Sequence, residues 1–464
     1  MCGIICVVSR PSARPLPLAA DILDALDRAI AAGATGNIAE SGRLVGEADA
    51  SLRGESGLGT LIDNVALVTG LVLRVDQLDV LASGAEAQLE SESGLSTREV
   101  ERRSNELIAL RDATWSLRND RLRTAKAVGE LAGKDASASA RNAYLSIQQA
   151  FSALDRMEVR GRDSAGVNEL VWGHGLDATD KRVAPLLAGR LDDALFTNGS
   201  VRIGAGNRAW SFVYKAAAEI GELGDNTRAM RTAVANDALL RLLVDQPGAR
   251  VSILGHTRWA SVGIISEPNA HPVNSEEVGG SSAAPYMLAA LNGDVDNHAD
   301  IKVRNGLHIA EPITTDAKVI PTVVSRKNAA GMTFVDSFRE TVAEFEGSVA
   351  IAVASADEPN SMMLALRGSG QGLYVGIAED RFIVASEPYG VVEETLHYVR
   401  MDGESLADAN NPSSRGQVIA LDGDSAGTLA GMRMLAYDGT TIPLDESNVH
   451  VAEVTTRDID RGEH

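Results

Sequence analysis

The chain has 464 residues, 44% hydrophobic and 23% charged, with a formal net charge of −21 at pH 7. Such a composition builds a globular protein with a sizeable core, and the length suits two to three average domains or one large domain with insertions. The acidic excess excludes nucleic acid and anionic membrane surfaces as partners, since binding either requires basic surface that displaces counterions.

Cysteine occurs only at positions 2 and 6. Along a strand these two thiols stand about 13 Å apart, too far for a disulfide. Apolar runs such as 65–73 fall short of the roughly 20 residues that cross a bilayer. The N-terminus lacks the charged and apolar regions of a secretory signal. The expectation is a reduced, cytoplasmic protein without a membrane span.

In chain order, Cys2-Gly3-Ile4-Ile5-Cys6-Val7-Val8 reads as a buried strand that ends at Ser9-Arg10-Pro11. A helix is predicted over 18–32, with Ile22, Leu23, Leu26 and Ile30 on one face and Gly33 as its stop. Ser96-Thr97-Arg98-Glu99 has the form of a capping box, and a long charged helix follows it to about Gly133. Tyr144, Ile147, Phe151 and Leu154 then line one face of a second helix, so 94–155 is predicted to form an αα-hairpin. Helical patterns at 315–329 and 334–345 give way to short apolar runs at 349–354, 362–366, 373–377 and 382–385, an antiparallel meander. Strands, then helices, then strands indicate an α+β fold.

Several short blocks carry chemistry. They are Met1-Cys2-Gly3-Ile4, Arg160-Gly161-Arg162-Asp163-Ser164-Ala165-Gly166, His256-Thr257-Arg258-Trp259-Ala260, Asn269-Ala270-His271-Pro272, Asn292-Gly293, and Thr315-Asp316 with Val319-Ile320. The second is rich in glycine and arginine but lacks the Gly-Lys-Ser/Thr ending of a phosphate loop. The eight histidines show no metal-ligand spacing and two cysteines cannot form a zinc cage, so neither a metal nor a cofactor is expected. In this order the blocks resemble the class II, N-terminal-nucleophile glutamine amidotransferases, most closely the glutaminase half of the glutamine–fructose-6-phosphate aminotransferases.

That resemblance implies a four-layer αββα sandwich and a glutaminase that converts L-glutamine to L-glutamate and ammonia. It implies that Met1 is removed and that the thiol of Cys2 attacks the amide, with the freed α-amino group of the same residue as base. That amine titrates at about 7.7 to 8.0, near cellular pH. By the same resemblance the Asn292 side chain and the Gly293 N–H form an oxyanion hole, and Arg160 helps to organise the site. Arg258 pairs with the substrate carboxylate, Asp316 with its ammonium, and Trp259, Ser261 and His271 complete the substrate-binding set. Ser261-Val262 stands where the family commonly has Thr-His, so an imidazole that would bond the substrate is replaced by an alkyl group. Cys6 is assigned to the core.

For the chain as a whole, 1–455 is expected to be one amidotransferase domain. It holds the 94–155 hairpin as an inserted arm and a shorter insertion at 175–210. Residues 456–464 are expected to be a linker toward a sugar isomerase domain that the chain does not contain. Such a domain or a separate subunit would take the ammonia to aminate a sugar phosphate such as fructose 6-phosphate, and the arm would serve a partner or homo-oligomer formation. The alternative is a catalytically weak glutamine-binding or scaffolding module that uses the helical arm for assembly.

Overall fold

The computed structural model describes residues 2–217, 222–280 and 284–461, and the side chain of Arg160 lies outside the description. The chain forms two units. One comprises Met1–Arg10 and Asp135–Ala452, the other Pro11–Lys134 and Glu453–His464.

The first unit is built on two antiparallel sheets. The nine-stranded sheet runs in the order Val449–Val451, His397–Arg400, Tyr374–Ile377, Arg381–Ala385, Gly3–Ser9, Arg250–Arg258, Ser164–Trp172, Ala209–Ala217, Val201–Ile203. The seven-stranded sheet runs Thr441–Ile442, Met432–Ala436, Gln417–Asp422, Ser361–Arg367, Val349–Ser355, Met287–Gly293, Val273–Asn274. Period-two alternation divides each strand between two layers. Ile4, Cys6 and Val8 point between the sheets, where they meet Leu288, Ala290, Ala352 and Leu364 in one buried cluster. Met287, Ala289 and Leu291 point the other way, into a second cluster under the helices Val319–Ala329 and Phe334–Ala343. The outer face of the nine-stranded sheet is covered by the helix Ala138–Met157, which lies on the Gly3–Ser9 and Arg250–Arg258 strands. The layers are therefore helix, sheet, sheet, helix, an α+β sandwich with Gly3–Ser9 at its centre, and Cys6 is fully buried in its core.

Helix Ala138–Met157 differs from its expected place in a hairpin. It is buried along nearly its whole length, on its small and polar residues as well as on Tyr144, Ile147, Phe151 and Leu154. Gln149 Oε1 accepts from the buried Arg381 at 2.8 Å, and Gln148 Nε2 donates to Ser152 Oγ at 2.9 Å. A helix with every side covered belongs to a core layer, and the structure assigns it to the first unit. Residues 175–210 likewise lie within this unit and supply its Val201–Ile203 edge strand.

The second unit is helical and much larger than a two-helix arm. Its helices are Ala19–Ala34, Ile38–Ser51, Gly54–Leu61, Val65–Ser91, Thr97–Trp115 and Arg123–Ala132, with a π-helical turn at Ser116–Leu122. Leu26, Leu44, Leu71, Val75, Leu78, Leu110, Leu117 and Val128 are buried in it. Asn37, Asn64 and Ser96 cap three helices with their side-chain oxygens. Asp49 is buried here; Arg121, Arg53 and the Ser116 hydroxyl outweigh its desolvation and hold its carboxyl below the usual range. The C-terminal segment expected to be a linker forms the helix Thr456–Arg461 on this unit. Arg457 bonds Asp112 at 2.8 Å and Thr456 Oγ1 donates to Asp120 at 2.6 Å. Among the described residues no single helix is long and apolar enough to cross a membrane.

Candidate active site

Cys2 directly precedes the central strand. Gly3 pairs with Thr257 and Ile4 with His256, so the antiparallel register brings Cys2 beside Arg258 and Trp259 at the end of the neighbouring strand. The backbone N–H of Trp259 donates to Cys2 Sγ at 3.2 Å, and the thiol points back to the Trp259 carbonyl at 3.5 Å. Burial raises the pKa of this thiol, against the lowering influence of the Trp259 N–H and of Arg258. The thiol is therefore held protonated at neutral pH, and attack on an amide requires a base to take its proton.

The second sheet supplies the opposite wall. Its Met287–Gly293 strand ends at Asn292, whose Nδ2 donates to the Cys2 carbonyl at 3.0 Å. His256 Nε2 lies 3.0 Å from Asn292 Oδ1. Gly293 has φ +86°, and a Cβ there would stand 1.9 Å from the Ser348 carbonyl oxygen, so the turn beyond Asn292 requires glycine. The Asn-Gly pair ends the Met287–Gly293 strand and lies beside Cys2.

Arg258 is buried on the face that looks between the sheets. Its guanidinium donates to Ile264 O at 3.2 Å and to Val262 O, which ties the following loop around it. Burial lowers its pKa, while the charges of Cys2, Asp316 and Asp163 act the other way. Val262 thus contributes through its backbone carbonyl. The Arg160–Gly166 block packs below this loop: Asp163 Oδ2 accepts from Ala260 N at 2.8 Å, and Asp163 N donates to Arg258 O at 3.1 Å. Gly161 lets the chains touch, since a Cβ would come within 2.7 Å of the Arg258 carbonyl carbon. The expected role of the Arg160 side chain lies outside the described residues.

Asp316 is buried, and its Oδ2 accepts from Val295 N at 2.8 Å. Burial raises its pKa, Val295 N–H opposes, and the charge of Asp294 raises it further. Ser261 Oγ donates to Asp294 Oδ1 at 2.6 Å. The Trp259 indole faces solvent, with the residue 56% exposed, so its contact with Cys2 is made by backbone.

His271 is placed one shell back. Leu291 N donates to its Nδ1 at 3.4 Å and its Nε2 lies 3.0 Å from Thr315 Oγ1, which occupies both ring nitrogens away from Cys2. Its ring packs 4.6 Å from that of His256, and burial drives both imidazoles to the neutral form, His256 down to about 3. This position supports the Asp316 turn and differs from the substrate contact expected of it. Asn269 does the same work, its Oδ1 accepting from Thr314 N at 2.7 Å and Thr315 N at 2.8 Å.

Two buried lysines share the space between the sheets. Lys318 Nζ donates to Asn274 O at 2.6 Å and to its Oδ1 at 2.7 Å. Lys215 Nζ has no hydrogen-bond partner among the described residues and lies 5.0 Å from the Phe196 ring centre. Burial pushes both amines down to about 7. Among the described residues no cluster of His, Cys, Asp and Glu is arranged to hold a metal ion.

Sequence reasoning missed His256 and Asp294 as site residues. His256 stood inside a quoted block, and period-two alternation from Arg258 would have put it on the same face. Asp294 follows Gly293 directly and carried no signal beyond that position.

No family model matches the chain. It is similar to the isomerizing glutamine–fructose-6-phosphate aminotransferase of Geobacillus kaustophilus, 33% identical over 167 residues, which is 36% of this chain and 26% of that protein. The enzyme of the same name from Shouchella clausii is 26% identical over 225 residues, 48% of this chain and 32% of its own. The chain thus spans about a quarter to a third of the length of these curated relatives. Among solved structures it is similar to a glutamine phosphoribosylpyrophosphate amidotransferase from B. subtilis, with 17% identity over 63% of this chain and 47% of that one, at a TM-score of 0.39. With its ordered sequence blocks and its two-sheet αββα sandwich, the chain is related over part of its length to the glutamine amidotransferases.

Proposed function

We propose that this chain is a glutaminase that hydrolyses L-glutamine to L-glutamate and ammonia through a thioester on Cys2. The observation that carries the reading is the convergence on one sulfur and its carbonyl: Trp259 N–H at 3.2 Å from Sγ, and Asn292 Nδ2 at 3.0 Å from the Cys2 oxygen. Removal of Met1 frees the α-amino group of Cys2, which takes the thiol proton and supplies it to the departing ammonia. The sulfur adds to the side-chain amide carbon, and Asn292 with the Gly293 N–H stabilises the oxyanion. Collapse releases ammonia, and water then cleaves the thioester to give glutamate and restore the thiol. Arg258 binds the substrate carboxylate by its planar fork, and Asp316 binds the ammonium. The ammonia is destined for a sugar phosphate such as fructose 6-phosphate, carried by a sugar isomerase domain or subunit, in a cytoplasmic setting.

The test is ammonia release from glutamine by the protein with Met1 removed, against Cys2→Ala. The variant leaves a small change at a chain end and is expected to keep the fold and lose all turnover; near wild-type turnover would end this mechanism. A second reading, a glutamine-binding or scaffolding module, draws support from the size of the helical unit. It predicts glutamine binding by calorimetry without ammonia release.

A further inference from the structure

We propose that a cavity at the free edges of the two sheets is a second ligand site, one that takes a small organic amine with an apolar stem. The inference goes beyond the glutaminase reading and uses none of the residues placed around Cys2. The nine-stranded sheet ends in Val201–Ile203 and the seven-stranded sheet in Val273–Asn274. A cavity of about 640 Å³ lies there, bounded by Arg202 and Ile203 of the first strand and by Glu276, Glu277 and Val278 just beyond the second. That volume suits a small molecule.

Two arginines in a cavity suggest an anion, but their hydrogen bonds argue against one. Arg202 uses all three nitrogens on the protein: Nε donates to Glu276 Oε1 at 2.6 Å, Nη1 to Val201 O at 2.9 Å and Nη2 to Asp193 O. Arg326 does the same, with Nε and Nη2 donating to Glu277 at 2.7 and 2.8 Å and Nη1 to Asn305 O. Each guanidinium is thus neutralised by its own glutamate. Asp192, exposed on the cavity wall, leaves the lining with one carboxylate in excess.

What remains unfilled is acceptor capacity. A carboxylate offers about four lone-pair positions. Glu276 uses two, for Arg202 and for Asn274 Nδ2 at 2.8 Å, and its side chain is 40% exposed. Asn274 is itself fixed by Lys318 Nζ, 2.7 Å from its Oδ1, so the carboxylate is held in place before a ligand arrives. Tyr286 also lines the cavity; it is 9% exposed, and its hydroxyl has no hydrogen-bond partner among the described residues. The charge of Glu276 reaches that hydroxyl and is, after burial, the next cause of its raised pKa. An ammonium, with three donors and no acceptor, matches a carboxylate that has a phenol oxygen near it. Ile203, Val278 and Ile313 give the stem an apolar wall. An alcohol on the same stem forms only neutral hydrogen bonds there, and a carboxylate meets the excess negative charge.

Hexylamine is the probe, with hexanol and hexanoate presenting the same stem without charge and with the opposite charge. Binding to the full chain is measured by calorimetry, alongside Glu276→Gln, which keeps an oxygen for Arg202 and removes the charge. The expected result is saturable binding of hexylamine, at least about tenfold tighter than that of hexanol or hexanoate. Glu276→Gln should weaken it about tenfold, as for loss of a charge-assisted hydrogen bond. No saturable binding of hexylamine up to about 10 mM, equal binding of hexanol, or preference for hexanoate each overturns the inference. So does an amine affinity that Glu276→Gln leaves unchanged, which puts the amine elsewhere on an acidic protein. Where that variant does not fold, Ala194→Trp, which fills the cavity from an exposed position on its wall, carries the same comparison.

Discussion

His256 Nε2 meets Asn292 Oδ1 at 3.0 Å, and this contact fixes which end of the amide faces Cys2. Burial keeps the imidazole neutral, and an amide oxygen only accepts, so Nε2 carries the proton and donates. With Oδ1 so engaged, Nδ2 is left to point at the nucleophile. His256→Leu frees the amide to rotate. The expected outcome is a kcat lower by about a hundredfold, the usual cost of one oxyanion donor, with KM for glutamine changed little. His256→Gln, which restores an N–H donor, should recover part of the loss. Steady-state kinetics on the three proteins checks it.

Arg258 holds its loop as well as standing beside Cys2. Arg258→Lys keeps the charge but cannot donate to Val262 O and Ile264 O together while pairing with a carboxylate. Glutamine KM should rise by about ten- to a hundredfold, as for loss of a charged bidentate contact. Unchanged KM and kcat would remove Arg258 from the site.

Gly293→Ala should be severe. The added carbon meets the Ser348 carbonyl at 1.9 Å in a backbone of positive φ, so the turn must open and the Asn292 strand end must shift. A loss of at least about 2 kcal/mol of stability is expected, together with loss of ammonia release. Thermal melts and the glutaminase assay report the two effects separately.

Lys215 is buried without a hydrogen-bond partner among the described residues, and Lys215→Met should stabilise the protein by about 1–3 kcal/mol near neutral pH. The unfolded amine titrates near 10.5 and the folded one at about 7. Between those values the unfolded chain holds the extra proton, so this lysine costs more stability as pH falls from 10.5 toward 7. The gain from methionine should therefore be larger at pH 7 than at pH 10, and melts at both values test it.

The candidate site was more legible in the sequence than the architecture around it. Cys2, Arg258, Asn292 and Asp316 stand in short blocks whose order survives, and a strand's strict alternation carries Cys6 into the core. The helical unit was legible only in part. Its longest helix, Val65–Ser91, leaves Val65, Leu73 and Val80 exposed, so its apolar residues trace no single stripe and the pattern carries little helical signal. Helix Ala138–Met157 misled in the opposite way. Its large apolar residues lie on one face, while the burial of Ser146, Gln148 and Gln149 depends on partners such as Arg381, more than 200 residues away. Lys215 and Lys318 look like surface charges in a linear sequence, and only the facing sheet makes them interior.

The strand Gly3–Ser9 that follows Cys2 finds Arg250–Arg258 on one side and Arg381–Ala385 on the other. The second of these neighbours lies far along the chain, so the strand is enclosed only late in synthesis. Until Ala385 has been added, Gly3–Ser9 remains an open edge of apolar residues, a hazard for wrong pairing that the growing chain must survive. A chain interrupted anywhere before Ala385 carries Cys2 next to a strand with at most one of its two neighbours complete.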